Sequence, residues 1–134
     1  MEETQSQTKP SELLDMAGFR DLYVWREGKA LALKAFRLTQ AETFSGDDGF
    51  QDQLRRSAIR VPSNIAEGDE RGTGRDTVRF LMIVRGSPAK LWTQLEIAGE
   101  PHYIDDETMK GLSEHCRKLR RMLTSLIQAR ARLL

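Results

Sequence analysis

The sequence predicts an all-α protein folded as an antiparallel up-down four-helix bundle with proline-kinked second and third helices. Three observations carry that prediction. Apolar residues recur at steps of three and four along four long segments, which sets them on single helical stripes. Short stretches rich in glycine, proline or acids separate those segments. The 134 residues suffice for one core and leave little room for a second.

Residues 1–18 are polar and read as a flexible tail, so the bundle domain is assigned to residues 19–134. The first helix should begin near Phe19 or Arg20 and end near Glu42, burying Leu22, Trp25, Leu31, Ala32, Ala35, Phe36 and Leu38. Gly28, Ala32 and Ala35 on its stripe leave space for a close neighbour. A turn follows over Phe44–Gly49, with acids placed at the positive end of the next helix. The second helix, to about Arg71, carries Phe50, Leu54, Ala58, Val61, Ile65 and Gly68 inward, while Gln53, Arg56, Arg60, Asn64, Glu67 and Arg71 form a polar ladder. Pro62 sits in its middle, has no N–H to give Ala58 and should kink or break it.

Gly72 should close that helix and Thr73 cap the next, with Asp76 as capping-box partner. Arginines and glycines over Arg71–Asp76 do not make a phosphate loop, because no strand precedes them and no Lys-Ser/Thr follows. The third helix should run from Arg75 to about Gly99 with Phe80, Leu81, Val84, Leu91, Leu95 and Ala98 inward and Pro88 within it. After Pro101–Ile104, Asp105, Asp106 and Glu107 open a fourth helix that buries Leu112, Cys116, Leu119, Leu123, Leu126 and Ile127.

The run Gln53-Leu54-Arg55-Arg56, then Pro62-Ser63-Asn64-Ile65-Ala66-Glu67-Gly68, Arg79-Phe80-Leu81 and Gly86-Ser87 resembles the signature of a four-helix-bundle family. That family is named after intervening sequences in bacterial large-subunit rRNA genes. Phe19–Trp25 and Gln94–Ala98 fit it in the same order, so the likeness spans roughly Phe19 to Leu134. Two positions depart from the pattern: Arg60 stands where the family usually has a small residue, and Lys90 where it has an acidic one. A more distant resemblance to the Avd accessory proteins of diversity-generating retroelements implies a homopentameric barrel whose basic surface binds nucleic acid and a reverse transcriptase.

The 21 Lys and Arg nearly balance the 20 Asp and Glu, so net charge selects no partner. Distribution says more: from Arg117 to the end the chain carries Arg117, Lys118, Arg120, Arg121, Arg130 and Arg132 and no acid. Cations in the last turn of a helix offset its dipole, but that effect fades within one turn, and Arg117–Arg121 lie further inside. Arg117, Lys118, Arg120 and Arg121, with Arg55 and Arg60, are therefore the expected nucleic-acid contacts, RNA favoured over DNA. Arg56, Pro62, Asn64, Glu67, Gly68 and Arg71 are the expected assembly motif. Trp25, Trp92, Phe36 and Phe80 offer rings for base stacking, although helical spacing argues for core or interface.

Enzyme chemistry finds little footing. His102, His115 and Cys116 are the only candidates for a nucleophile or transition-metal site, and adjacent helical residues point about 100° apart. Glu67 reads as half of an ion pair rather than a base. No catalytic residue, cofactor, metal, membrane or small-molecule substrate is expected. A single cysteine and the absence of a long apolar run favour a cytoplasmic setting. The expected function is a non-enzymatic oligomeric nucleic-acid-binding accessory. The alternative is an adaptor that docks a protein such as a reverse transcriptase or a ribosome-associated factor through the outer face of the first helix.

Overall fold

The computed structural model describes residues 18–44, 46–71 and 73–134. The tail assigned to residues 1–18 and the closing role of Gly72 thus fall almost wholly outside the described residues. Among the described residues, five α-helices build the four rods of the bundle: α1 Tyr23–Thr39, α2 Asp48–Asp69, α3 Gly74–Val84, α4 Gly86–Gly99 and α5 Asp106–Ala131. The described residues contain no strand. Each rod packs on two neighbours: α1 on α2 and α5, and the α3–α4 rod on α2 and α5. Hence α2 and α5 lie across one diagonal, and α1 and the α3–α4 rod across the other.

Helix starts follow local chemistry. Asp47 accepts from the Phe50 N–H at 3.3 Å, Thr73 from the Asp76 N–H at 3.1 Å, and Asp105 from the Thr108 N–H at 2.8 Å. Each such cap contributes about 1 kcal/mol. Asp76 turns its carboxylate to Arg71, 3.6 Å away. α1 begins later than the periodicity predicts. A 3-10 turn occupies Phe19–Asp21, and Leu22, which has no side chain able to cap, is extended before the helix starts.

The core is one cluster along the bundle axis. Leu31, Ala35, Leu54, Ala58, Val61, Ile65, Leu91, Leu95, Leu119 and Leu123 are all fully buried, on the stripes that the sequence predicts. At one end, Phe44 is fully buried against Phe50 and Tyr103, although the turn around it is polar. The Tyr103 hydroxyl donates to Asp47 at 3.0 Å, and that carboxylate holds the phenol's proton more tightly than usual.

The two internal prolines act differently. α2 runs unbroken through Pro62, so the break admitted by the sequence does not occur there. Gly28 of α1 faces this turn: a Cβ there would lie 3.2 Å from Ile65 Cδ1 and 3.6 Å from Pro62 Cα. α1 therefore closes directly on the turn that lacks a hydrogen bond. In the third rod, by contrast, the helix divides at Arg85. Pro88 cannot serve the carbonyl of Val84, the last residue of α3, and Gly86 and Ser87 weaken the same turn.

Candidate nucleic-acid interface

The expected contact residues divide between opposite corners of the bundle. Arg117, Lys118, Arg120 and Arg121 fan across the exposed side of α5 because its buried stripe, Cys116, Leu119 and Leu123, points the other way. Arg117 leans toward α4, 3.6 Å from Glu114 and over the Trp92 ring at 5.2 Å. Lys118 leans toward α1 and meets Glu27 at 3.0 Å. Arg120 and Arg121 make no ion pair with another described residue. Exposed pairs such as Arg117–Glu114 contribute roughly 0–1 kcal/mol, so an incoming phosphate can compete for these cations.

Arg55 and Arg60 lie on α2, across the diagonal. The half-buried Arg55 donates from Nε to Thr39 Oγ1 at 2.8 Å, while Gln51 donates to the Thr39 carbonyl at 2.7 Å. Together they close the C-terminus of α1, where a cation is favoured. Arg60 is exposed beside Lys90.

Within the assembly motif, Arg56 is exposed, whereas Asn64 and Glu67 are engaged inside the chain. Asn64 does not serve the turn freed by Pro62; its Nδ2 donates to Ser87 Oγ at 3.2 Å and ties α2 to α4. Glu67 pairs with Arg71 at 3.3 Å, and Arg71 also covers the Phe80 ring at 4.2 Å. Gly68 is buried because Leu81 and Phe80 pack against it, at 2.9 and 3.0 Å from where a Cβ would stand.

The four aromatic rings singled out by the sequence each hold one of the protein's own cations. Lys29 lies over Trp25, Arg55 over Phe36, Arg71 over Phe80 and Arg117 over Trp92. A base would have to displace a cation to stack there. Tyr23 is the aromatic that the sequence reading missed. It is 77% exposed at the first position of α1, and it lines a largely apolar groove of about 630 Å³ with Leu22, Met122, Leu126, Lys118 and Arg121. Its place at a helix start, just off the core stripe, is the signal that could have found it.

A second cluster was also missed. His115 bonds Glu27 through Nε2 at 2.7 Å and Lys34 through Nδ1 at 3.2 Å. With the proton on Nε2, the neutral ring donates to Glu27 and accepts from Lys34. Hydrogen bonds from Lys118 and then from His115 hold the Glu27 carboxyl below the usual carboxylate range. Cys116 is buried, and its thiol is pushed up to about 12, so it stays protonated and unreactive. No group of three or more His, Cys, Asp or Glu able to hold a metal occurs among the described residues.

Residues 20–125 match the model of the 23S rRNA-intervening sequence protein family. The chain belongs to that family. A crystal structure from Bacteroides thetaiotaomicron, described as a protein with unknown function from the S23 ribosomal protein family, has the same fold. It superposes with a TM-score of 0.70 at 19% identity, over 78% of this chain and 97% of its own. No functionally curated protein matches the chain. Among the described residues, no helix is long and apolar enough to cross a membrane.

Proposed function

We propose that this family member is a non-enzymatic nucleic-acid-binding accessory protein, RNA favoured, that works as a homo-oligomer with the pentamer as favoured size. The observation that supports it is the groove between the start of α1 and α5, where an exposed Tyr23 ring lies among Lys118, Arg121 and apolar side chains. Asp21, the acid on its rim, pairs with Arg26. An aromatic face beside cations is what a single-stranded segment needs: a surface for a base and charge for its phosphates. The family description, with its reference to 23S rRNA, favours RNA. One such patch is weak, and a ring of identical patches multiplies it.

The test is filter binding of structured and single-stranded RNA across a salt series. Affinity should fall steeply with salt, and Arg120→Glu with Arg121→Glu should flatten that slope. Tyr23→Ala should cost about 1–3 kcal/mol, mainly on single strands. Binding no tighter than that of a control protein matched in Lys and Arg overturns the proposal.

One observation favours docking of a protein, such as a reverse transcriptase or a ribosome-associated factor. The outer face of α1 presents Trp25, Arg26, Lys29 and Leu33 around a hollow of about 550 Å³. An Arg117/Arg120/Arg121→Glu variant should keep such a partner in a native pull-down while losing nucleic acid.

A further inference from the structure

A separate small cleft, of about 180 Å³ and lined mainly by polar residues, lies between α2 and the point where the third rod divides. α2 contributes Ser57, Arg60 and Asn64, spaced three and four apart and therefore on one stripe. The facing turn contributes Gly86, Ser87 and Lys90, and no carboxylate among the described residues lines the cleft. Arg60 and Lys90, the two departures from the family pattern, thus meet at one place. Neither forms an ion pair with another described residue.

The remaining polar groups present hydrogen to the same space. Ser87 Oγ accepts the Asn64 amide, so its own hydrogen is free to donate elsewhere. Ser57 is only 4% exposed, yet it lines the cleft with no hydrogen-bond partner among the described residues. Its hydroxyl is therefore available to donate to a bound acceptor. Gly86 has open space where a Cβ would stand, which leaves the mouth clear, and Ile83, 70% exposed, forms an apolar lip.

We infer that this cleft is a binding site for a phosphate monoester. Two cations match a dianion, and two hydroxyls with the cations supply donors for several oxygens, more than a planar carboxylate can use. The apolar lip suits the sugar or base that carries the phosphate. The two sources of that chemistry are the terminal phosphate of an RNA and a free mononucleotide. The site lies away from the α1–α5 groove and does not depend on it.

Isothermal titration of the full chain tests this with inorganic phosphate, a nucleoside 5′-monophosphate, and a trinucleotide with either a 5′-phosphate or a 5′-hydroxyl. The phosphorylated trinucleotide should bind roughly tenfold or more tightly than its hydroxyl twin, as a charge-assisted hydrogen bond implies. Arg60→Ala and Lys90→Ala, both at exposed positions, should each remove most of that difference. Ser57→Ala should reduce it less, and Arg120→Ala should leave it unchanged. Equal affinity of the mononucleotide and the phosphorylated trinucleotide assigns the site to free nucleotides; preference for the trinucleotide assigns it to RNA ends. Indifference to the terminal phosphate, or Arg60 and Lys90 variants with circular dichroism and affinity both unchanged, overturns the inference. A polymer affinity still lost on reversing Arg120 and Arg121 would then leave the α5 surface standing.

Discussion

Single residues decide how closely the rods approach. Gly68 is the tightest case: a Cβ would come within 2.9 Å of Leu81 Cδ2, and Leu81 is only 1% exposed, with little room to retreat. Overpacking of this kind costs about 1–3 kcal/mol, while alanine in a helix interior gains about 1 kcal/mol over glycine. Gly68→Ala should therefore destabilise by roughly 1 kcal/mol net, read as a lower denaturant midpoint at unchanged slope. Asn64→Ala should cost about 1 kcal/mol through the lost bond to Ser87, and Ser87→Ala added to it should cost little more. Additive losses in that double-mutant cycle would show that the two side chains act separately. Cys116 should stay unmodified by a thiol reagent in the native protein and react fully once unfolded, because burial keeps its thiol neutral.

Between elements, polar contacts set the register that apolar stripes leave loose. α1 is joined to α5 by Glu27, which bonds His115 and Lys118. Its folded pKa is lowered, so its stabilising effect is complete above the ordinary value of 4.5 and is lost as pH falls through the folded value. The melting temperature should decline below about pH 4.5, and Glu27→Gln should flatten that decline. An identical acid limb in the variant would assign the loss to other carboxylates. α2 reaches α5 at the far end through Arg130 and Asp69, 2.6 Å apart. The three helix starts were legible in sequence, Thr73 as a cap and the acids around Asp47 and Asp105 through the helix dipole, while the capping bonds of Asp47 and Asp105 came only with the structure. The division of the third rod at Arg85 was half legible: Pro88 announced a defect, but only the packing of α1 on α2 explains why Pro62 leaves its helix whole.

For the whole molecule, the basic surface is divided by the diagonal between α2 and α5 and thinned by internal partners. Arg55, Arg71 and Arg117 lie over the chain's own rings, whereas Arg120, Arg121, Arg60 and Lys90 are exposed and pair with no carboxylate among the described residues. Each patch on a single subunit therefore offers few phosphate contacts. Strong, salt-sensitive binding should appear only with assembly, and dilution below the dissociation constant of the assembly should lower affinity per chain. Light scattering paired with binding at each concentration checks this, with the pentamer as the expected species.

The sequence by itself determined the four apolar stripes, the Thr73 cap and the acids that open two helices, the place of Pro88 and the family, because each is written in residues close together along the chain. Tertiary structure alone decided which charges remain available. It buried Phe44 from within a polar turn, tied Arg55 to the end of α1, set cations over four rings, exposed Tyr23, and brought Arg60 to Lys90. The physical reason is common to all of these. A side chain's partner is chosen by which helix packs beside it, and that choice joins residues far apart in sequence.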